Sequence, residues 1–324
     1  MALPRVAVFA TGGTIAQAPD ETGRVMPGVD GASLLAGVPG LDRLARVTLR
    51  QIVNIDSRDM QPEIWLDLAA AIDLALRDPA IAGAVVLHGT DTMEDTAYFL
   101  DRSLTGDKPV VLTGAMELAG SPFADGPQNI FNAVRQAVDP AAAGHGATVN
   151  FAGGIFAADA VRKVATGGRT AFDGGRLARL DGLGIDWQCR RDRPPPLGVP
   201  RDALPRVDIV TDYPGADGAL LDAVVAAGAA GLVVEGYGVG NLSRPTFDAV
   251  LRARGAGLPV VIASRVAQGR LHPVYGGPGG GESLLASGAI LGAPLTAGKN
   301  RILLMLGLAM GMAGAELQRF FAVH

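Results

Sequence analysis

Short aliphatic runs alternate along the chain with longer stretches in which apolar side chains recur every three or four positions. "RVAVFA" (5–10), "ARVTLRQIVNI" (45–55), "AGAVVL" (82–87), "KPVVLTG" (108–114) and "GATVNFAGGIF" (146–156) read as strands. Between them, "PEIWLDLAAAIDLALRD" (62–78) sets Pro62 at a helix start and Trp65, Leu68, Ile72 and Leu76 at helical spacing. "MEDTAYFLDRSL" (93–104) carries Met93, Ala97, Leu100 and Leu104 on one stripe, and "GPQNIFNAVRQAV" (126–138) is the next helix. This alternation predicts an α/β fold: a mostly parallel, doubly wound sheet with helices on both faces. Such sheets take their ligands at the carboxyl ends of the strands.

The pattern breaks at "RRDRPPPLGVPRDALPR" (190–206), which holds five prolines and few helix formers. A run of this kind is a semi-rigid linker. Strand and helix patterns then resume with "VDIVTDY", "GALLDAVVAAG", "AGLVVEGYG", "RPTFDAVLRARG", "LPVVIASRV" and "NRILLMLGLAM". The expected organisation is a larger N-terminal catalytic domain over 1–189, a linker over 190–205 and a smaller C-terminal α/β domain over 206–324.

Composition narrows the function. With 324 residues, 48% of them hydrophobic, the chain has the size of two domains and the material for a large core. The net charge is -4, and basic residues are scattered apart from Arg190, Arg191 and Arg193, so no nucleic-acid footprint is present. A small acidic or zwitterionic substrate fits this background. Cys189 is the only cysteine, which excludes an intrachain disulfide; with no CxxC or nearby His it reads as a partly buried small hydrophobe, and no metal site is expected. "MALPRVAVFA" lacks the pattern of a signal peptide, and the apolar run "ILLMLGLAMGMAGA" (302–315) is shorter than the ~20 residues a membrane span needs. The expectation is a cytoplasmic protein without membrane partners, or a periplasmic one if a leader has been removed.

Two turns carry candidate chemistry. "TGGT" (11–14) follows a strand, and its glycines let the backbone turn sharply and expose successive N–H groups. Neither GxxxxGK[ST] nor GxGxxG is present, so both nucleotide motifs fail. The stretch is a plain tight turn, or it presents Thr14 as a nucleophile beside an oxyanion hole of backbone N–H groups. "HGTDT" (88–92) repeats the arrangement with Thr90; Asp91 by default caps the following helix, and His88 is either a base or a structural residue. No GxSxG elbow accompanies them. A lysine is the other route to an activated hydroxyl, and Lys163, in "DAVRKVATGG", follows a strand and precedes a glycine pair.

"FATGGTIA" (9–16) and "VVLHGTDTMEDTAYFL" (85–100) resemble the two signature segments of bacterial-type L-asparaginases. The likeness continues through "VNIDSRDM", "KPVVLTGAM", "ADGPQNIFNAV", "GVGNLSR" and "SRV", and covers essentially the whole chain. It implies hydrolysis of asparagine to aspartate and ammonia, often with some glutamine hydrolysis, without metal or organic cofactor. It also implies a homotetramer, a dimer of dimers whose sites lie between subunits. By motif, Thr14 resembles the nucleophile that forms the acyl-enzyme, and Thr90, Asp91 and Lys163 the second triad, in which the ammonium lowers the cost of deprotonating a hydroxyl. Ser57 resembles the residue that binds the substrate α-carboxylate; Asp91 is implied to pair with the α-ammonium, Ala115 to offer its backbone carbonyl to the leaving amide, and Asn241 to come from the neighbouring subunit.

Three departures stand out. The family places a Tyr in the flexible segment after the nucleophile, whereas "QAPDETGRVMPGVDG" (17–31), expected to act as a lid, has none. Arg58 stands where Gln or Glu usually follows the Ser; it grips the substrate carboxylate bidentately or alters size selection. The acidic residue expected from the partner ahead of "LLASG" has only Glu282 nearby, out of register. The missing Tyr leaves an alternative, a weakly active or inactive aspartate- or asparagine-binding sensor on the same fold. A third reading, a subunit that feeds ammonia to tRNA transamidation, is disfavoured because no basic face is present.

Overall fold

The computed structural model describes residues 2–19, 25–27 and 29–323. The chain divides into two compact units, Met1–Val199 and Pro200–His324. The described elements of the first unit are β1 (Arg5–Gly12), β2 (Gln17–Pro19), β3 (Val25–Pro27), α1 (Gly31–Ala36), α2 (Leu41–Leu44), β4 (Arg46–Ile55), α3 (Pro62–Leu76), β5 (Ile81–Leu87), α4 (Met93–Ser103), β6 (Val110–Thr113) and α5 (Gly126–Ala137). They continue with β7 (Ala147–Phe151), β8 (Gly154–Ala157), β9 (Arg162–Lys163), β10 (Phe172–Asp173), β11 (Arg176–Leu180) and β12 (Ile185–Trp187).

The main sheet has the order β12-β11-β8-β7-β6-β5-β1-β4. β4, β1, β5, β6 and β7 run parallel, and β8, β11 and β12 join through antiparallel pairs. Alternation along β1 sends Val6, Val8 and Ala10 into one cluster with Val85 and Leu87 of β5 and with Ile130, Ala133 and Val134 of α5. α3 and α4 lie against the sheet as well, joined to each other by Trp65 stacked on Phe99 with ring centroids 5.4 Å apart. Pro62 opens α3 as the sequence predicts, because its fixed φ suits a first helical turn and its missing N–H is not needed there.

Two expectations are corrected. "GATVNFAGGIF" is a hairpin and not one strand: β7 and β8 pair antiparallel across a turn in which Ala152 (φ 48°) and Gly153 (φ 77°) are left-handed. Cys189 is exposed, its thiol 3.5 Å from the Arg176 carbonyl.

The segment read as a linker begins strapped to the end of α4. The Arg191 guanidinium grips the fully buried Asp101 carboxylate with two bonds of 2.9 and 2.8 Å, and Arg193 adds its charge at 3.1 Å. Arg102 donates in turn to the Pro194 and Pro195 carbonyls at 2.9 Å each, and the Leu197 N–H returns to the Arg102 carbonyl at 2.7 Å. A proline run offers acceptors without donors, and arginine supplies the donors.

The second unit comprises β13 (Val207–Thr211), α6 (Ala219–Ala226), β14 (Gly231–Gly236), α7 (Arg244–Gly255), β15 (Val260–Ser264), α8 (Gly281–Ala286), β16 (Ile290–Leu291), α9 (Ala297–Ala309) and α10 (Gly314–Ala322). Its sheet is parallel in the order β13-β14-β15-β16, over a core that includes Leu232, Val234, Val260 and Ile262. Among the described residues no helix is long and apolar enough to cross a membrane.

Replacing Asp101 by Ala removes the buried carboxylate that Arg191 and Arg193 share, leaving Arg191 only the partly exposed Asp159 as a carboxylate partner and Arg193 without the carboxylate it meets at 3.1 Å. Breaking a buried pair from one side costs about 3–5 kcal/mol, so the urea midpoint of the first unit should fall markedly; an unchanged midpoint in chemical denaturation contradicts this account.

Candidate active site

The carboxyl ends of β4, β1, β5 and β6 meet through backbone. Gly13 has φ 88°, and a Cβ there would lie 2.2 Å from the Gly89 Cα. A Cβ on Gly89 would lie 2.6 Å from the Ser57 hydroxyl oxygen, and one on Gly114 2.3 Å from the His88 carbonyl oxygen. No side chain other than hydrogen fits between these turns. The residue that follows each glycine is therefore delivered to one place: Thr14 after Gly13, Thr90 after Gly89 and Ala115 after Gly114.

Thr14 opens a 3-10 turn, Thr14–Ala16, and is half-buried while Ile15 and Ala16 are buried beneath it and anchor the turn. Two N–H groups of this turn are already engaged: Gly13 donates to the Ile55 carbonyl at 2.9 Å and Ala16 to the Gly13 carbonyl at 2.8 Å. Neither serves an oxyanion hole in this conformation.

Ser57, after β4, ties the third turn in. Its Oγ accepts the Asp91 N–H at 3.2 Å and its carbonyl accepts the Thr92 hydroxyl at 2.8 Å. The buried Thr90 hydroxyl accepts from the Lys163 ammonium at 2.9 Å, and the same ammonium is 2.5 Å from Asp91 Oδ1. Asp91 thus does not cap α4, whose N-cap is Thr92. Its carboxylate stays open, with a side-chain exposure of 63% against 19% for Lys163. Lys163 reaches the site from β9, where its N–H donates to Glu94 Oε2 at 2.5 Å. Glu94 escaped the reading of the sequence; its only signal there was its place one helical turn after Asp91.

Arg58 forms a 2.6 Å ion pair with Asp56 and is 72% exposed, and Gln17 at the foot of the expected lid donates to the other Asp56 oxygen. An exposed pair of this kind contributes about 0–1 kcal/mol, so Arg58 can exchange it for a ligand carboxylate. The strands β2 and β3 of the lid pair antiparallel, and residues 20–24 and 28 lie outside the described residues. Asn241 belongs to the second unit. It sits in a tight turn where it exchanges backbone bonds of 2.8 and 2.9 Å with Tyr237, and its side-chain oxygen is buried without a partner among the described residues. The first unit thus brings together Thr14, Ser57, Thr90, Asp91, Ala115 and Lys163, with Arg58 beside them; Asn241 is not part of that unit.

His88 is structural. Trp65 Nε1 donates to Thr96 Oγ1 at 2.9 Å, and Thr96 Oγ1 is also 2.9 Å from His88 Nε2. The Gly89 carbonyl, 2.6 Å from Nδ1, can only accept, so Nδ1 carries the proton of the neutral ring and Nε2 accepts from the Thr96 hydroxyl. Burial pushes the imidazole down to about 4, with the Gly89 bond opposing in part. The native state therefore refuses a proton that the unfolded chain accepts below its ordinary value of 6.5. His88 contributes stability above that pH, and the contribution is lost as pH falls from about 6.5 to about 4. The unfolding free energy of wild type should drop more steeply across this window than that of His88→Asn; equal slopes in denaturant titrations contradict it.

Residues 5–193 match the family described as Asparaginase, N-terminal, and residues 206–321 match the Glutaminase/Asparaginase C-terminal domain. The chain is 36% identical to L-asparaginase 2 of Escherichia coli (strain K12) over 332 residues, covering 99% of this chain and 93% of that protein. It is 38% identical over 325 residues to a probable L-asparaginase of Deinococcus radiodurans, covering 98% and 97% of the two chains. Among solved structures, a probable cytoplasmic L-asparaginase from Campylobacter jejuni is similar with a TM-score of 0.88 at 34% identity, over 98% of this chain and 99% of that one. Matches of this length over both units, together with hydroxyl, ammonium and carboxylate groups gathered at the strand ends, establish that the chain belongs to the asparaginase family of amidohydrolases.

Proposed function

We propose that the protein hydrolyses L-asparagine to L-aspartate and ammonia through an acyl-threonine intermediate, with glutamine as a minor substrate. The observation that carries this reading is the Lys163 ammonium bonded to both the Thr90 hydroxyl and the Asp91 carboxylate, on a turn whose Gly89 touches Gly13. In the first half-reaction the Thr14 oxygen bonds to the carboxamide carbon, its proton passes to the leaving nitrogen, and the C–N bond breaks to release ammonia. In the second, water attacks the acyl carbon, the ester bond breaks, and the proton returns to Thr14. Lys163 stabilises negative charge on Thr90 or on the attacking water, and Asp91 holds the ammonium in place while its exposed face receives the substrate α-ammonium.

Ser57 and Arg58 receive the α-carboxylate. The Ser57 hydroxyl accepts from Asp91, which leaves its proton to donate, and Arg58 trades its exposed Asp56 pair for the ligand. The Ala115 carbonyl takes an N–H of the carboxamide. Asn241 enters from a second copy within a homotetramer, a dimer of dimers. The alternative, a sensor that binds without turnover, draws on the missing lid Tyr; the intact contacts of Lys163 favour turnover.

Thr14→Ala should lower ammonia release by roughly four orders of magnitude or more while the circular dichroism spectrum is kept. Lys163→Met should lower kcat by about 10²–10³-fold with a smaller change in KM. A coupled ammonia assay reads both. Undiminished turnover in Thr14→Ala rules the mechanism out, and calorimetric binding of aspartate by a wild-type protein that releases no ammonia establishes the sensor instead.

A further inference from the structure

Asp125 occupies the N-cap of α5, the place where an Asp normally accepts an N–H of the first helical turn, yet its side chain makes no such bond. Forgoing a cap costs about 1 kcal/mol. The carboxylate, itself buried, is turned back onto the loop after β6, where Oδ2 accepts the Met116 N–H at 3.2 Å and Oδ1 the Glu117 N–H at 3.0 Å. One turn along α5, the buried Asn129 spends both amide protons on the same loop, one on the Gly114 carbonyl at 3.0 Å and one on Asp125 Oδ2 at 3.3 Å. Its oxygen accepts the Ala152 N–H at 3.2 Å, from the left-handed turn between β7 and β8. Both amide protons of Asn129 and one lone pair of its oxygen are thereby engaged.

Ala115 lies between these anchors. Its peptide is fixed from one side through the Gly114 carbonyl and from the other through the Met116 and Glu117 N–H groups, while its methyl packs with Ile15, next to Thr14. Gly126 keeps that packing close: a Cβ there would lie 3.0 Å from Ile15 and 3.6 Å from the Ala115 methyl. Bonds from two N–H groups to one carboxylate are charge-assisted and short-ranged, so they set direction as well as position.

We propose that Asp125, braced by Asn129, is a positioning residue that aims the Ala115 carbonyl at the leaving amide. The inference rests on the acyl-threonine reading and deepens it. It separates two kinds of substrate. A carboxamide has N–H groups to give to the Ala115 carbonyl, whereas the β-methyl ester of L-aspartate has none at its leaving oxygen. The two otherwise share the α-groups and the attacked carbon.

The test is steady-state kinetics of Asp125→Asn and Asn129→Ala on L-asparagine and on the β-methyl ester of L-aspartate, beside wild type. A misaimed contact of about 1 Å costs up to about 10²-fold, so kcat/KM for asparagine should fall about 10–100-fold in Asp125→Asn, carried mainly by kcat, while the ester loses under about 3-fold. Asn129→Ala should change the amide-to-ester ratio in the same direction by a smaller factor, and it keeps the test available if Asp125→Asn does not fold. A parallel loss on both substrates, or no loss on asparagine, overturns the positioning role. Thr14→Ala separates this from the underlying reading: if that variant is inactive and the ratio is unmoved, only the role of Asp125 falls, whereas ammonia release by Thr14→Ala removes both.

Discussion

The contact of Gly13 with Gly89 is the constraint on which the site depends. Two chain turns, at the ends of neighbouring parallel strands, approach so closely that one Cα lies where the other's side chain would begin. Parallel strands are held at a fixed spacing by their ladder, so the turns at their ends are brought near each other whatever their sequence. What glycine adds is the last few ångströms, and with them two turns that each carry a threonine directly after the glycine. Ser57 fills the third side because Gly89 leaves its oxygen room, and the bond from the Asp91 N–H then locks that turn in place.

The polar groups of the first unit fall into two kinds. The Asp101 carboxylate is wholly buried and shared by Arg191 and Arg193, and His88 is wholly buried and neutral between Thr96 and Gly89. Such groups are fully committed, and they hold elements together without exchanging partners with solvent. Lys163 and Asp91 are also paired, but the carboxylate remains open and the hydroxyl in the pair belongs to a strand end. A charge pair that keeps one face to solvent is the kind that can take a ligand, since the ligand replaces water and not a protein partner.

Much of this was readable before any coordinates. The strands β1, β4, β5 and β6 and the helices α3, α4 and α5 follow the runs from which they were expected, because apolar period and a proline at a helix start are local properties of the chain. "GATVNFAGGIF" misled because a continuous apolar run is equally compatible with one strand and with two whose turn is hidden among small residues; only the left-handed Ala152 and Gly153 separate them. Asp91, expected to cap α4, lies one residue ahead of its N-cap Thr92, and Asp125 occupies the N-cap of α5 without bonding to its first turn. Each instead meets a group far away or on another loop, and the local rule gives way to the stronger partner. The proline-rich run reads as a semi-rigid linker, and its composition does not reveal that Asp101, 90 positions earlier, binds Arg191.

What the sequence determined by itself was therefore the succession of strands and helices, the placing of Thr14 and Thr90 at the ends of strands, and the residue types available for acyl transfer. Those are consequences of periodicity and of turn chemistry, which act over a few residues. Only the tertiary structure decided that Lys163 meets Thr90 across 73 positions of chain, that His88 is a neutral brace and that Asp125 turns away from its own helix. The reason is physical: a side chain's partner is chosen by the sheet order and by how closely the glycine turns approach, and neither quantity is written in any short stretch of the chain.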